Sequence, residues 1–240
     1  MKKVAILIPT KNRIEFAIRA IEYYVSINSP HPIFIGDASK ESSEELVLKA
    51  AKDKVEVYYF HWENLYDRPT AIKLAQEAKK INITDYCACQ GDDDFYIPKS
   101  LSLCADFLSG NPIYTTSQGR AFSIRLDHDG PYGEVADLCI YWDKKELNGD
   151  TALQRLKEMS TSYWVPNFSV HRITEFIVDY SVGINSVNDM RLGEYANVLG
   201  TALNGKSKFI DCLYLARGIH KNQYGRRMQN KIYGRKFKWI

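Results

Sequence analysis

Three consecutive aspartates, Asp92, Asp93 and Asp94, close the apolar segment from Asp85 to Gly91 and are followed by Phe95, Tyr96, Ile97 and Pro98. Carboxylates this close repel one another, and a bound divalent cation is the usual reason for such a group at the end of a strand. Hard cations prefer oxygen ligands, and the triplet offers three carboxylates and no thiol. The competing reading is an acidic turn that caps the helix begun by Pro98. Upstream, two more polar groups follow apolar runs: Pro9 and Thr10 with Arg13, and Asp37 with Ser39.

These residues need a scaffold, and the composition allows an ordinary soluble enzyme. The chain has 240 residues, 45% hydrophobic and 25% charged, with a formal net charge of +3. That is enough for one large domain or two small ones. No signal-peptide or membrane-span pattern is present, because the apolar run after Lys3 soon meets Pro9 and Lys11, so the expectation is a cytoplasmic protein. The five cysteines (Cys87, Cys89, Cys104, Cys139, Cys212) lack CxxC spacing and read as small buried hydrophobes rather than a zinc site or a disulfide framework.

The first half alternates strands with helices. Val4 to Ile8, Pro32 to Ile35, Val55 to Phe60 and Tyr86 to Gln90 read as strands. Between them, helical spacing runs over Arg13 to Ile27, Ser42 to Ala51 (Leu46, Leu48 and Ala51 inward) and Thr70 to Lys80. This order predicts an α/β fold with a mostly parallel central sheet and helices on both faces, because parallel strands need crossover connections. Ligands in such sheets sit at the carboxyl ends of strands, where Pro9, Thr10, Asp37 and Asp92 to Asp94 all fall.

Ile8 to Arg13, Gly36 to Ser39 and Gly91 to Pro98, in that order at three strand ends, resemble the nucleotide-binding half of GT-A glycosyltransferases, particularly inverting family 2. The resemblance covers about the first 110 residues well and the remainder loosely. It implies a GT-A, Rossmann-like sheet with a smaller antiparallel acceptor-side sheet, and a nucleotide-diphospho-sugar donor, UDP-linked by expectation. Asp37 would accept from the imide nitrogen of the base, or alternatively only shape its turn. Pro9 and Thr10 would approach the nucleoside, Arg13 the ribose or pyrophosphate, and Arg68 would cover the base in preference to Lys73. Asn12, in the bland reading, caps a helix. Within the triplet, one register gives ribose to Asp92 and a Mn²⁺ or Mg²⁺ ion to Asp93, whereas a literal D-x-D reading gives the metal to Asp94. A Lewis acid there would neutralise the charge that builds as the nucleoside diphosphate departs.

The second half should hold the acceptor, a saccharide or lipid-linked saccharide. Strands are expected within Asn111 to Arg125 and through Leu138 to Trp142, then a helix over Ala152 to Met159 with Leu153 and Leu156 inward. Tyr163 and Trp164 are candidates to stack on a sugar, or else to pack in the core. By the resemblance, the general base of an inverting transfer lies at the start of a second-half helix. Glu194 is the first candidate, opening a helix over Tyr195 to Leu203, and Asp189 the second; Tyr195 stands where the family usually has Asp. After a strand from Phe209 to Leu215, Arg217 and His220 resemble an Arg-x-x-His element whose His contacts metal or diphosphate.

Residues 1–110 thus read as the donor half, 111–220 as the acceptor half of the same domain, and 221–240 as a tail. The tail carries seven Lys or Arg and no acidic residue, interleaved with aromatics, and invites peripheral association with the inner membrane face. No nucleic-acid partner is expected from so near-neutral a remainder. The competing activities are a sugar-phosphate nucleotidyltransferase, disfavoured because Pro9 to Arg13 contains no glycine, and a non-catalytic carbohydrate-binding scaffold.

Overall fold

The computed structural model describes residues 1–65, 67–182 and 190–221. The first half follows the expected alternation: β1 (Ala5–Thr10), α1 (Ile14–Ser26), β2 (Ile33–Asp37), α2 (Glu44–Ala51), β3 (Val57–His61), α3 (Asp67–Ile81) and β4 (Tyr86–Cys89). β2 and β4 flank β1, β3 lies outside β2, and all four are parallel. A two-residue strand β5 (Phe95–Tyr96) precedes α4 (Pro98–Gly110), which has Pro98 in its first turn, where a missing N–H leaves no bond unmade.

The second half extends the same sheet. It contributes β6 (Tyr114–Leu126), β7 (Val135–Trp142), α5 (Ala152–Thr161), a 3-10 turn (Pro166–Phe168), β8 (Val170–Arg172), α6 (Ile173–Ser181), α7 (Met190–Asn204) and β9 (Lys206–Gly218). The strand order is β3-β2-β1-β4-β8-β6-β9-β5, with β7 paired to β6. β8 runs antiparallel to both β4 and β6, and β5 antiparallel to β9, while β6 and β9 are parallel. The antiparallel part is therefore the β6–β7 hairpin and its neighbours, hydrogen-bonded into one nine-stranded sheet.

Strand alternation explains how one short apolar run serves both faces. Ile6 and Ile8 of β1 pack with Ile21 and Tyr24 of α1 and Leu101 of α4, whereas Ala5 and Leu7 pack with Leu74 of α3 and Phe176 of α6. A third cluster of Leu147, Met159, Trp164, Val198 and Ala202 lies under α5 and α7. Gly36 is a glycine because α3 crosses β2 there: a Cβ would overlap Thr70 Cγ2 and stand 3.1 Å from Leu74 Cδ1.

Two helix phases differ from expectation. In α2 the inward stripe is Val47, Ala50 and Ala51, and Leu46 and Leu48 are 52% and 50% exposed. In α5 Leu156 packs against the core as expected, but Leu153 is 76% exposed and Arg155 and Met159 are the fully inward residues. Arg155 is drawn in because its guanidinium donates to the Ala202 and Leu203 carbonyls, each at 2.8 Å, satisfying the open end of α7. No helix among the described residues is long and apolar enough to cross a membrane.

Candidate functional site

β1, β2 and β4 end side by side, with Pro9 opposite Gly36 and Thr10 opposite Asp37 in register. The loops that leave β1 and β2 are tied together. Asn12 takes a left-handed conformation (φ 56°), which Asn tolerates, and its N–H donates to Ser39 Oγ at 2.8 Å. Asn12 is thus the turn residue rather than the helix cap. Arg13 occupies the cap position and sends its side chain across to the β4 loop.

The three aspartates are all buried, and their carboxylates go to three different sets of partners. Asp92 Oδ2 accepts from Thr10 Oγ1 at 2.8 Å and from Arg13 Nε at 3.2 Å, and a second Arg13 nitrogen reaches Asp92 Oδ1. Asp93 Oδ2 lies 2.7 Å from His220 Nε2 and 3.6 Å from Arg13 Nη2. Asp94 accepts from the backbone N–H of Gly218 at 3.0 Å and of Gly91 at 3.3 Å, with Arg217 Nε at 3.5 Å. His220 is therefore not a surface-loop residue: it is buried, against Asp93 on one side and stacked on Phe16 at 5.1 Å.

Arg19, which sequence reasoning passed over, completes the charge balance. Its Nη2 donates to the Asp93 carbonyl at 2.9 Å and its Nη1 to the Pro131 carbonyl at 2.6 Å. Arg13, Phe16 and Arg19 share one face of α1 at spacings of three, and that periodicity was the available signal. Burial pushes the carboxyls of Asp92 and Asp94 up, against the pull of Arg13 on the first and Arg217 on the second. Burial acts on Asp93 in the same sense, but the hydrogen bond from His220 and the charge of Arg13 outweigh it and hold Asp93 below the usual carboxylate range. Of the three, Asp93 is thus the carboxylate kept ionised most firmly.

Asp37 is fully buried at the end of β2. Its Oδ1 accepts from the Ser39 N–H and its Oδ2 from the Tyr59 hydroxyl, both at 2.8 Å, and Tyr59 in turn accepts from the Ser43 N–H at 2.7 Å. These bonds shape the turn, and each carboxylate oxygen retains a second lone pair. Tyr59, on β3, carries no motif that would have marked it.

Arg68 lies elsewhere, against the helix that carries Glu194. The guanidinium of Arg68 lies over Gly193, where any Cβ would overlap it, and Glu194 follows in α7. Glu194 is the fifth residue of that helix rather than the residue before it, because α7 begins at Met190. Tyr163 stacks on Tyr195 at 6.1 Å, and burial, with Glu194 adding to it, raises the Tyr163 hydroxyl. Trp164 is packed in the cluster under α5 and α7, whereas Tyr163 is 47% exposed. Lys73 sits over the Trp62 ring at 4.4 Å. Asp189 and residues 222–240 lie outside the described residues.

Among the described residues, no three His, Cys, Asp or Glu side chains form a metal-holding group. Asp93 Oδ2 and His220 Nε2, at 2.7 Å, nevertheless form a pair of suitable type. Two neighbouring octahedral ligands at about 2.1 Å from one ion stand roughly 3 Å apart, so a shift of a few tenths of an ångström would admit it. The remaining positions would fall to water and phosphate oxygens, the usual arrangement for hard cations on phosphate substrates.

No family model matches the chain. A curated protein of Rickettsia bellii (strain RML369-C), described as an uncharacterized glycosyltransferase, is 31% identical over 139 residues, which cover 55% of this chain and 18% of the relative. Among solved structures, residues 1–349 of S. aureus TarS superpose with a TM-score of 0.60 at 12% identity, covering 90% of this chain and 60% of that one. The same TarS fragment solved with UDP-GlcNAc gives a TM-score of 0.55 at 11% identity, over 92% of this chain and 60% of that one. At such identity the likeness shows a shared fold. The chain spans less than a fifth of the curated relative and about three-fifths of the TarS fragment.

Proposed function

We propose that the chain is a glycosyltransferase that binds a nucleotide-diphospho-sugar, UDP-linked, at the ends of β1, β2 and β4 and passes the sugar to a saccharide hydroxyl. The observation that carries this reading is the division of labour within the triplet: Asp92 with Thr10 and Arg13, Asp93 with His220, Asp94 with the backbone of β9. Support comes from the fold shared with TarS, a protein solved with UDP and with UDP-GlcNAc, and from the Rickettsia relative's description.

Asp37 and the loop after β1 would receive the nucleoside, and Asp92 the ribose, which would take over the acceptor sites that Arg13 and Thr10 now fill. Arg13, released, would turn its charge to the diphosphate, a fit for a planar guanidinium. Asp93 and His220 would hold Mn²⁺ or Mg²⁺, which when bound supplies charge neutralisation for the departing diphosphate. Asp94 stays with the backbone, holding β9 and the β4 loop together so that Asp93 meets His220. Glu194, beside Tyr163 and Arg68, is the base for an inverting attack, with Asp189 as the second candidate. Assembly of a polysaccharide or glycoconjugate at the inner membrane face is the setting we favour.

Thermal unfolding with UDP, in Mn²⁺ or in EDTA, tests the donor site, because a ligand that binds only the native state raises its stability. UDP should stabilise the wild type in Mn²⁺ and lose that effect in EDTA and in Asp93→Ala. Absence of any UDP effect on a folded wild type sinks the reading.

A further inference from the structure

A groove of about 400 Å³ lies between α1 and the tip of the β6–β7 hairpin, and it shares a wall with the aspartate site. Its apolar lining is Phe16, Phe95, Ile124, Leu126, Val135 and Ile219. The ionisable groups that line it are Arg19, His128, Tyr132 and His220, with no Asp or Glu. The hairpin tip is fixed over α1 by the Arg19 bond to the Pro131 carbonyl and by the Tyr132 hydroxyl donating to Glu22 at 2.8 Å. Gly218 and His220 line the groove and also bind Asp94 and Asp93, so an occupant of the groove lies next to the candidate transfer centre.

From this combination we propose that the groove binds an alkyl or prenyl phosphate, which anchors the acceptor beside the donor site. Its role as acceptor anchor rests on the transfer reading above; the binding itself does not. Charge complementarity selects the occupant. An apolar trough lined by the Arg19 guanidinium and by no carboxylate favours a chain ending in an anion and disfavours a neutral glycan or an amine. The volume accommodates roughly thirteen non-hydrogen atoms at the ~30 Å³ one water takes in the liquid, the size of octyl phosphate.

Titration calorimetry of the full chain with octyl phosphate, below its micellar concentration, should show one saturable site that neither inorganic phosphate nor octyl glucoside fills. Val135→Glu, at a position 62% exposed and so safe for folding, places an acid at the rim and should weaken octyl phosphate by about tenfold or more. Arg19→Gln should weaken it similarly, with thermal unfolding to confirm that the variant is folded. UDP binding, measured in parallel, separates the two readings. Saturable octyl phosphate binding without UDP binding keeps the groove and removes its role as acceptor anchor. UDP binding without saturable octyl phosphate binding overturns the groove. Equal affinity for octyl glucoside, or indifference to Val135→Glu, overturns it as well.

Discussion

His171, in the middle of β8, makes the stability of this chain sensitive to mild acid. It pairs in register with Cys87 of β4 and Thr116 of β6, is fully buried, and meets Phe176 and Tyr180 edge-on. Its Nε2 lies 3.0 Å from the Pro166 carbonyl, which fixes that nitrogen as the donor, and among the described residues Nδ1 has no partner. Burial lowers the imidazole from 6.5 to about 4, and the Pro166 bond offsets only part of that. The unfolded chain therefore binds the extra proton between these values, so stability is complete above pH 6.5 and falls as pH drops through the window. The full difference of about 2.5 pH units corresponds to about 3 kcal/mol, of which about 2 kcal/mol is already lost at pH 5. His171→Gln keeps an N–H for Pro166 and cannot titrate. Urea unfolding of both proteins from pH 8 to pH 5 should show the wild type losing about 2 kcal/mol more than the variant, a comparison in which the other titrating groups cancel. A difference between the two that stays constant with pH refutes the reasoning.

Gly36→Ala should destabilise by about 1–3 kcal/mol through overlap with Thr70, and Thr70→Ser should recover part of that loss in the double variant, measured by urea unfolding as a mutant cycle. Asp94→Ala leaves two backbone N–H groups without their acceptor and Arg217 without its counter-ion, and should cost about 3–5 kcal/mol, again by urea unfolding. A loss below about 1 kcal/mol would mean that Asp94 is not the clamp between the β4 loop and β9.

Strand alternation and strand-end chemistry were legible in the sequence, because a period of two and polar residues after apolar runs are local signals. Helix phase was read in part: Ala51 and Leu156 face the core as expected, whereas Leu46, Leu48 and Leu153 do not, and Arg155 points inward because its acceptors lie on α7, nearly fifty residues along the chain. The candidate site shows the same division. Thr10, Arg13 and the aspartates announced themselves by spacing. Which aspartate meets a histidine and which a backbone N–H did not, since that depends on β9 arriving from more than a hundred residues away. Tyr59 was invisible for the same reason: it reaches Asp37 across a strand pairing, and a tyrosine in a strand reads as ordinary core.

The pairing of β5 with β9 also sets an order of events in time. Asp93 and Asp94 meet His220 and Gly218 across separations of 127 and 124 residues. At about 5–20 residues per second, the ribosome releases the aspartates roughly 6–25 s before their partners. Throughout that interval the nascent chain has the β1–β4 core available but no means of closing its acidic corner, so the last sheet edge is added late and over a long loop. Contacts of such sequence separation slow folding. The aspartate site should therefore be the last part of the molecule to mature, and a fragment ending near residue 110 should collapse without acquiring it.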